Sequence, residues 1–191
     1  MEMEWFAPVA RLLEAHPVVG LLAGGTLRPA SPLPRFDLSL MELYLAFHGT
    51  GRLLRFSSVE EYSWLGLAVT EAVEPRAAAG GETFAACAVG RLRLRHPDAP
   101  RAVTALRLVG DPATLAERGL AACAAVELEE GELLFLDPVN LYGIAPGDLA
   151  AYERWIAEQV PWRRGWMEPG RVLEEWVWRP GAETLVRERT F

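Results

Sequence analysis

The stretch Val126-Glu127-Leu128-Glu129-Glu130-Gly131-Glu132-Leu133-Leu134-Phe135-Leu136 decides the fold class at the level of sequence. Apolar and acidic residues alternate up to Glu129, Glu130-Gly131 supplies turn chemistry, and an apolar run follows, so the segment reads as a β-hairpin. Working outward, residues 83–95 and 102–109 also read as strands, with strict alternation in Arg91-Leu92-Arg93-Leu94-Arg95 and a turn at His96-Pro97-Asp98-Ala99-Pro100. Residues 171–178 and 183–189 flank Arg179-Pro180-Gly181-Ala182 as a closing hairpin. Two helices fall between these strands. Asp111-Pro112 is an N-cap followed by a first-turn proline, which opens a helix to about residue 122. Asp148 caps another helix over 149–160, which Pro161 stops.

The first half reads as more helical. Trp5, Phe6, Val9, Leu12 and Leu13 make one helical stripe that His16-Pro17 ends. Residues 17–36 carry Pro17, Gly20, Gly24-Gly25, Pro29, Pro32 and Pro34, the composition of an irregular connector, with room for a short strand at 18–22. Ser39-Leu40-Met41-Glu42 and Ser58-Val59-Glu60-Glu61 both match a capping box. They predict a helix over 40–48, ended by Gly49, and another opening at Ser58 and running through Tyr62 and Leu65, while the apolar stretch at 64–73 reads equally as buried helix or strand. Residues 52–56 read as a strand, and 75–82 as a mobile loop. Taken together, residues 1–191 are expected to form a single α+β domain. Its mainly antiparallel sheet is built from segments after residue 83, with helices packed on one face.

Composition narrows the chemistry. The chain has 191 residues, a net charge of −7, and 19 basic residues that are all arginine. With no lysine, a Schiff base, a P-loop lysine and a lysine general base are excluded. The absence, with the single Asn140 and Gln159, reads as GC-rich codon bias, and the alternative is selection against an acceptor amine for lysine-directed tagging or acylation. The acidic balance argues against general nucleic-acid binding and suits a basic protein partner. A chain of this length buries roughly 70% of its extended surface, enough for a core without metals or disulfides. Cys87 and Cys123, each set among alanines, read as buried small hydrophobes in a reducing cytoplasm. Glu2 and Glu4 stand where an export signal carries positive charge, and no apolar run approaches a membrane span. Cytoplasmic residence is the expectation.

Three groups of residues are candidates for function. Trp162, Arg163, Arg164 and Trp166 lie within five positions, expected in a loop after the stopped helix. They are residue types enriched at binding hot spots, and they are the candidate partner surface. Arg91, Arg93 and Arg95 share one strand face and form a candidate face for an anion or an acidic partner. The competing reading pairs this basic region, which includes Arg101 and Arg107, with Glu127 and Glu129 across strands. Asp137, Asn140 and Tyr142 follow an apolar strand and are candidates for a ligand pocket with His48 or His96, although Asp-Pro-x-Asn is also turn chemistry. Tandem carboxylates such as Glu174-Glu175 point apart on a strand and suit shared acid–base work poorly. No metal or nucleotide motif is present, and no cofactor is expected. The expected function is a small acidic protein-interaction module of the immunity-protein, antitoxin, chaperone or host-interaction kind. The alternative is a small enzyme or ligand-binding domain built on the Asp137 segment.

Overall fold

The computed structural model describes residues 3–28, 35–60, 64–73, 83–90, 94–96, 99–138, 143–167 and 170–191. After a 3-10 turn at Glu4–Phe6, helix α1 (Ala7–Ala15) leads into β1 (Val18–Arg28), β2 (Arg35–Phe47), β3 (Leu53–Val59), β4 (Trp64–Thr70) and β5 (Thr83–Ala88). Strand β6 (Val103–Gly110), helix α2 (Pro112–Arg118), β7 (Leu120–Ala121), β8 (Cys123–Leu128) and β9 (Glu132–Asp137) follow. Then come β10 (Ala145–Gly147), helix α3 (Leu149–Trp166), β11 (Glu174–Trp178) and β12 (Val186–Thr190). The strands form two six-stranded sheets, ordered β5-β1-β2-β3-β4-β7 and β10-β9-β8-β6-β11-β12. Neighbouring strands run antiparallel in both.

This corrects the expected single sheet with helices on one face: there are two six-stranded sheets, and in the first only β3 and β5 coincide with strands expected from sequence, while β1 and β2 come from segments read as connector and helix. Residues 40–47 lie in β2, where Leu43, Leu45 and Phe47 enter the main core and Tyr44 between them is buried as well. Ser58 is no N-cap either. It lies in β3, buried, and its hydroxyl donates to the Pro138 carbonyl at 3.2 Å, tying the first sheet to the end of β9. Strand pairing across β1–β4 satisfies every second apolar residue at once, which a local capping signal cannot match.

The connector read over 17–36 is largely the eleven-residue strand β1. Gly24 and Gly25 serve packing: a Cβ on Gly25 would stand 2.5 Å from both the Asp37 carbonyl oxygen and the Phe36 ring. A bulge lets β2 fold beside β1, because Ala23 pairs with Leu43 while Gly24 pairs with Ser39. The extra residues free the Leu40 carbonyl to accept from Ile144 N–H at 2.7 Å. The ambiguous segment at 64 resolves as β4, and β5 stops at Ala88, short of the strand expected to residue 95.

The sheets face each other across one core. Leu21, Leu43, Leu45, Leu54 and Phe56 from the first sheet cluster with Leu106, Leu108, Leu134, Leu136 and Trp178 from the second, joined by Val9, Leu12 and Leu13 of α1. Corners are stitched by backbone bonds: Val18 and Arg101 exchange a pair at 2.7 and 2.9 Å, and Ala122 N–H donates to Val109 at 2.6 Å where the chain changes sheets. As expected, Asp111 caps α2, accepting from Thr114 N–H at 3.0 Å, but Gly119 in the left-handed region ends that helix at Arg118. A second cluster lies on the outer face of the second sheet, where Val109, Cys123, Ala125 and Phe135 are covered by Tyr152, Trp155 and Val160 of α3. The architecture is sheet, sheet, helix.

Candidate functional site

Helix α3 carries the candidate partner surface, and its seat on the second sheet sets what that surface presents. Asp148 caps the helix, accepting from Ala151 N–H at 3.0 Å. Beneath it the side chains of Cys123 and Ala125 are small, which lets Phe135 pack against both Tyr152 and Trp155, with ring centroids 5.6 and 6.3 Å apart.

The helix does not stop at Pro161, as the sequence suggested, but runs through it to Trp166. A helix-interior proline costs about 3 kcal/mol. Tertiary anchoring offsets that cost: the Arg163 guanidinium lies 5.7 Å from the Trp64 ring and 5.7 Å from the Trp155 ring, between the two. Burial lowers the Arg163 pKa, opposed by Cys123 and Asp137. Trp162 and Arg164 are therefore helical, not in a loop, and both are exposed, Trp162 at 55%. Arg163 turns inward. Trp166 ends the helix, and its side chain lies outside the described residues.

At the other end of α3 lies a polar network. Glu175, 1% exposed, accepts from the Tyr152 hydroxyl at 2.5 Å and from Arg107 at 3.1 Å, and its second oxygen meets Arg189 at 3.0 Å. Arg107 also pairs with Glu127 across β6–β8 and with Glu188 at 3.4 Å. Burial works to lower the Arg107 pKa, but Glu127 and Glu175 outweigh it and hold the guanidinium above its ordinary value. Burial, then the bond to Glu175, pushes the Tyr152 hydroxyl well up. Glu174 points the other way, to Arg187 at 3.1 Å, so the tandem carboxylates separate as strand geometry requires.

The remaining candidates are dispersed. Arg91 and Arg93 lie outside the described residues. Arg95 is exposed and in no strand, and its backbone N–H donates to Glu132 at 2.8 Å. Glu132 also forms a buried ion pair with Arg101, while Glu129 accepts from Ala102 N–H. Asp137 lines a cavity of about 220 Å³ with Phe135, Pro146, Arg154, Trp155 and Glu158. Asn140 and Tyr142 lie outside the described residues. No histidine lines that cavity: His48 is exposed with its carbonyl 3.1 Å from His16 Nδ1, and His96 is exposed 3.7 Å from Glu130. Both cysteines are free, Cys87 half-buried and Cys123 fully buried, and burial raises both thiols. Among the described residues no three His, Cys, Asp or Glu side chains gather as a metal site.

Tyr152 carries no signal in the sequence, and Glu175 enters there only as half of the tandem Glu174-Glu175; its signal is two adjacent carboxylates in a strand that otherwise holds tryptophan and valine. No described helix is long and apolar enough to cross a membrane. No protein-family model, curated protein or solved structure matches the chain.

Proposed function

We propose that the protein is a non-catalytic, cytoplasmic protein-interaction module, of the immunity-protein, antitoxin, chaperone or host-interaction kind, and that the C-terminal turns of α3 form part of its contact surface. The observation that carries this reading is Trp162, an indole 55% exposed on a helix whose opposite face is locked by Tyr152, Trp155 and the inward Arg163. A large aromatic on a rigid support contributes contact area with little entropy left to lose, and Arg164 beside it adds planar donors. The charge of −7 favours a basic partner.

The test is affinity capture from the native host with wild-type protein and with Trp162→Ala in parallel. A partner retained by the wild type and lost by the variant, with both proteins equally folded, is the expected result. A partner retained equally by both would remove Trp162 from the interface.

The cavity at Asp137 supports a second reading, a small-ligand site. Its volume of about 220 Å³ falls below the roughly 300–1,000 Å³ usual for ligand pockets, which ranks it second.

A further inference from the structure

A concave strip runs between the β8–β9 turn and the first two turns of α3, at the end of the helix away from Trp162. Three cavities of about 400, 500 and 300 Å³ open onto it, and Leu133 and Leu149 line all three. Leu149 is 50% exposed, an apolar side chain at the centre of a groove whose rim is charged. The rim is unbalanced. Among the described residues, six carboxylates line the three cavities against the guanidiniums of Arg95, Arg107 and Arg189. Two of those three cations are already committed: Arg107 to Glu127, Glu175 and Glu188, and Arg189 to Glu175. Among the described residues no arginine pairs with Glu129, Glu130 or Glu153, and all three are exposed.

Local structure accounts for part of this. Asp148 is the helix cap, Glu129 accepts a backbone N–H, Glu132 is paired with Arg101 and Glu127 with Arg107. Among the described residues Glu130 has only the exposed His96 within ion-pair distance, at 3.7 Å, and local structure accounts neither for Glu153 nor for a half-exposed leucine beside it. We infer that this groove docks a segment of the protein partner that alternates cationic with aliphatic side chains. The cations meet Glu130 and Glu153, and an aliphatic side chain packs on Leu149 and Leu133. Charge complementarity selects this occupant, since an acidic segment would add like charge to a rim that already carries an excess. The inference rests on the reading of the protein as a protein-binding module and adds the chemistry of the partner.

The experiment uses a short peptide alternating arginine with leucine, and a control with glutamate in place of arginine, titrated into the full-length protein while backbone amide shifts are followed. The arginine peptide should move the amides of Glu130, Leu133, Leu149 and Glu153, and the control should move none of them. Affinity should fall about tenfold in Glu130→Gln/Glu153→Gln and severalfold in Leu149→Ala, with melting temperatures unchanged because these side chains are exposed. Raising salt should weaken the wild-type complex and have little effect on the double variant. Shifts centred elsewhere, or equal affinity in wild type and double variant, would overturn the inference. Either result leaves the binding-module reading standing, because that reading is tested on the native partner through Trp162.

Discussion

A carboxylate at 1% exposure is costly unless it is paired, and Glu175 is: one oxygen accepts from the Tyr152 hydroxyl and Arg107, and the other lies 3.0 Å from Arg189 as an ion pair. These contacts join β11 to β6, β12 and α3 through one side chain. Glu175→Ala would strand Arg107 and Tyr152 with part of their bonding lost, and should cost about 3–5 kcal/mol in a denaturant titration. An effect under about 1 kcal/mol would show that water replaces the carboxylate freely. The outer end of the network is pH-sensitive. The hydrogen bond from Arg179, with further help from Arg107, holds the Glu188 carboxyl below its ordinary range. A carboxyl with a depressed folded-state pKa contributes stability above its unfolded pKa, and that contribution is lost as pH falls through the folded value. Stability should therefore drop less between neutral and acid pH in Arg179→Met than in wild type. Melting curves across that range compare the two, and parallel profiles would exclude the pair as a contributor.

At the scale of elements, the hairpins closed by Gly-containing turns were legible from sequence. β8 and β9 flank Glu130-Gly131, and β11 and β12 follow the order set by Arg179-Pro180-Gly181-Ala182. What hid the first sheet was the double meaning of glycine and of Ser-x-x-Glu. In β1, Gly25 admits the Phe36 ring and the Asp37 carbonyl, a packing role indistinguishable in one dimension from a loop breaker. The same residue gives a test. Gly25→Ala should destabilise by about 1–3 kcal/mol through overpacking, while Gly20→Ala, with open space around its Cβ, should not show that cost. Equal effects on thermal unfolding would contradict the close approach on which the β1–β2 pairing depends. In α3 the misreading was of the opposite kind. Pro161 is a local stop signal, overridden by the Trp64–Arg163–Trp155 stack, whose Trp64 lies far away in sequence. A contact of that range leaves no periodic trace.

For the whole molecule, the two sheets supply a rigid base and α3 the exposed relief. Sequence marked Trp162 and Arg164 by residue type, but the inward turn of Arg163 depends on strands from both sheets and was not readable. Nor was the groove, since Leu149 and Glu153 meet the β8–β9 turn only after the second sheet forms. The candidate site thus divides by cause: residue chemistry was visible, and convergence was not. The central claim is that α3 presents a binding surface at Trp162 without depending on that side chain for its fold. The most direct measurement is a binding isotherm for the captured partner on Trp162→Ala, read beside a melting curve of the same variant. The account predicts a loss of about 2 kcal/mol in binding, roughly thirtyfold, with the melting temperature held. Unchanged affinity, or a fall in melting temperature on the scale of a core truncation of about 3–5 kcal/mol, would contradict it.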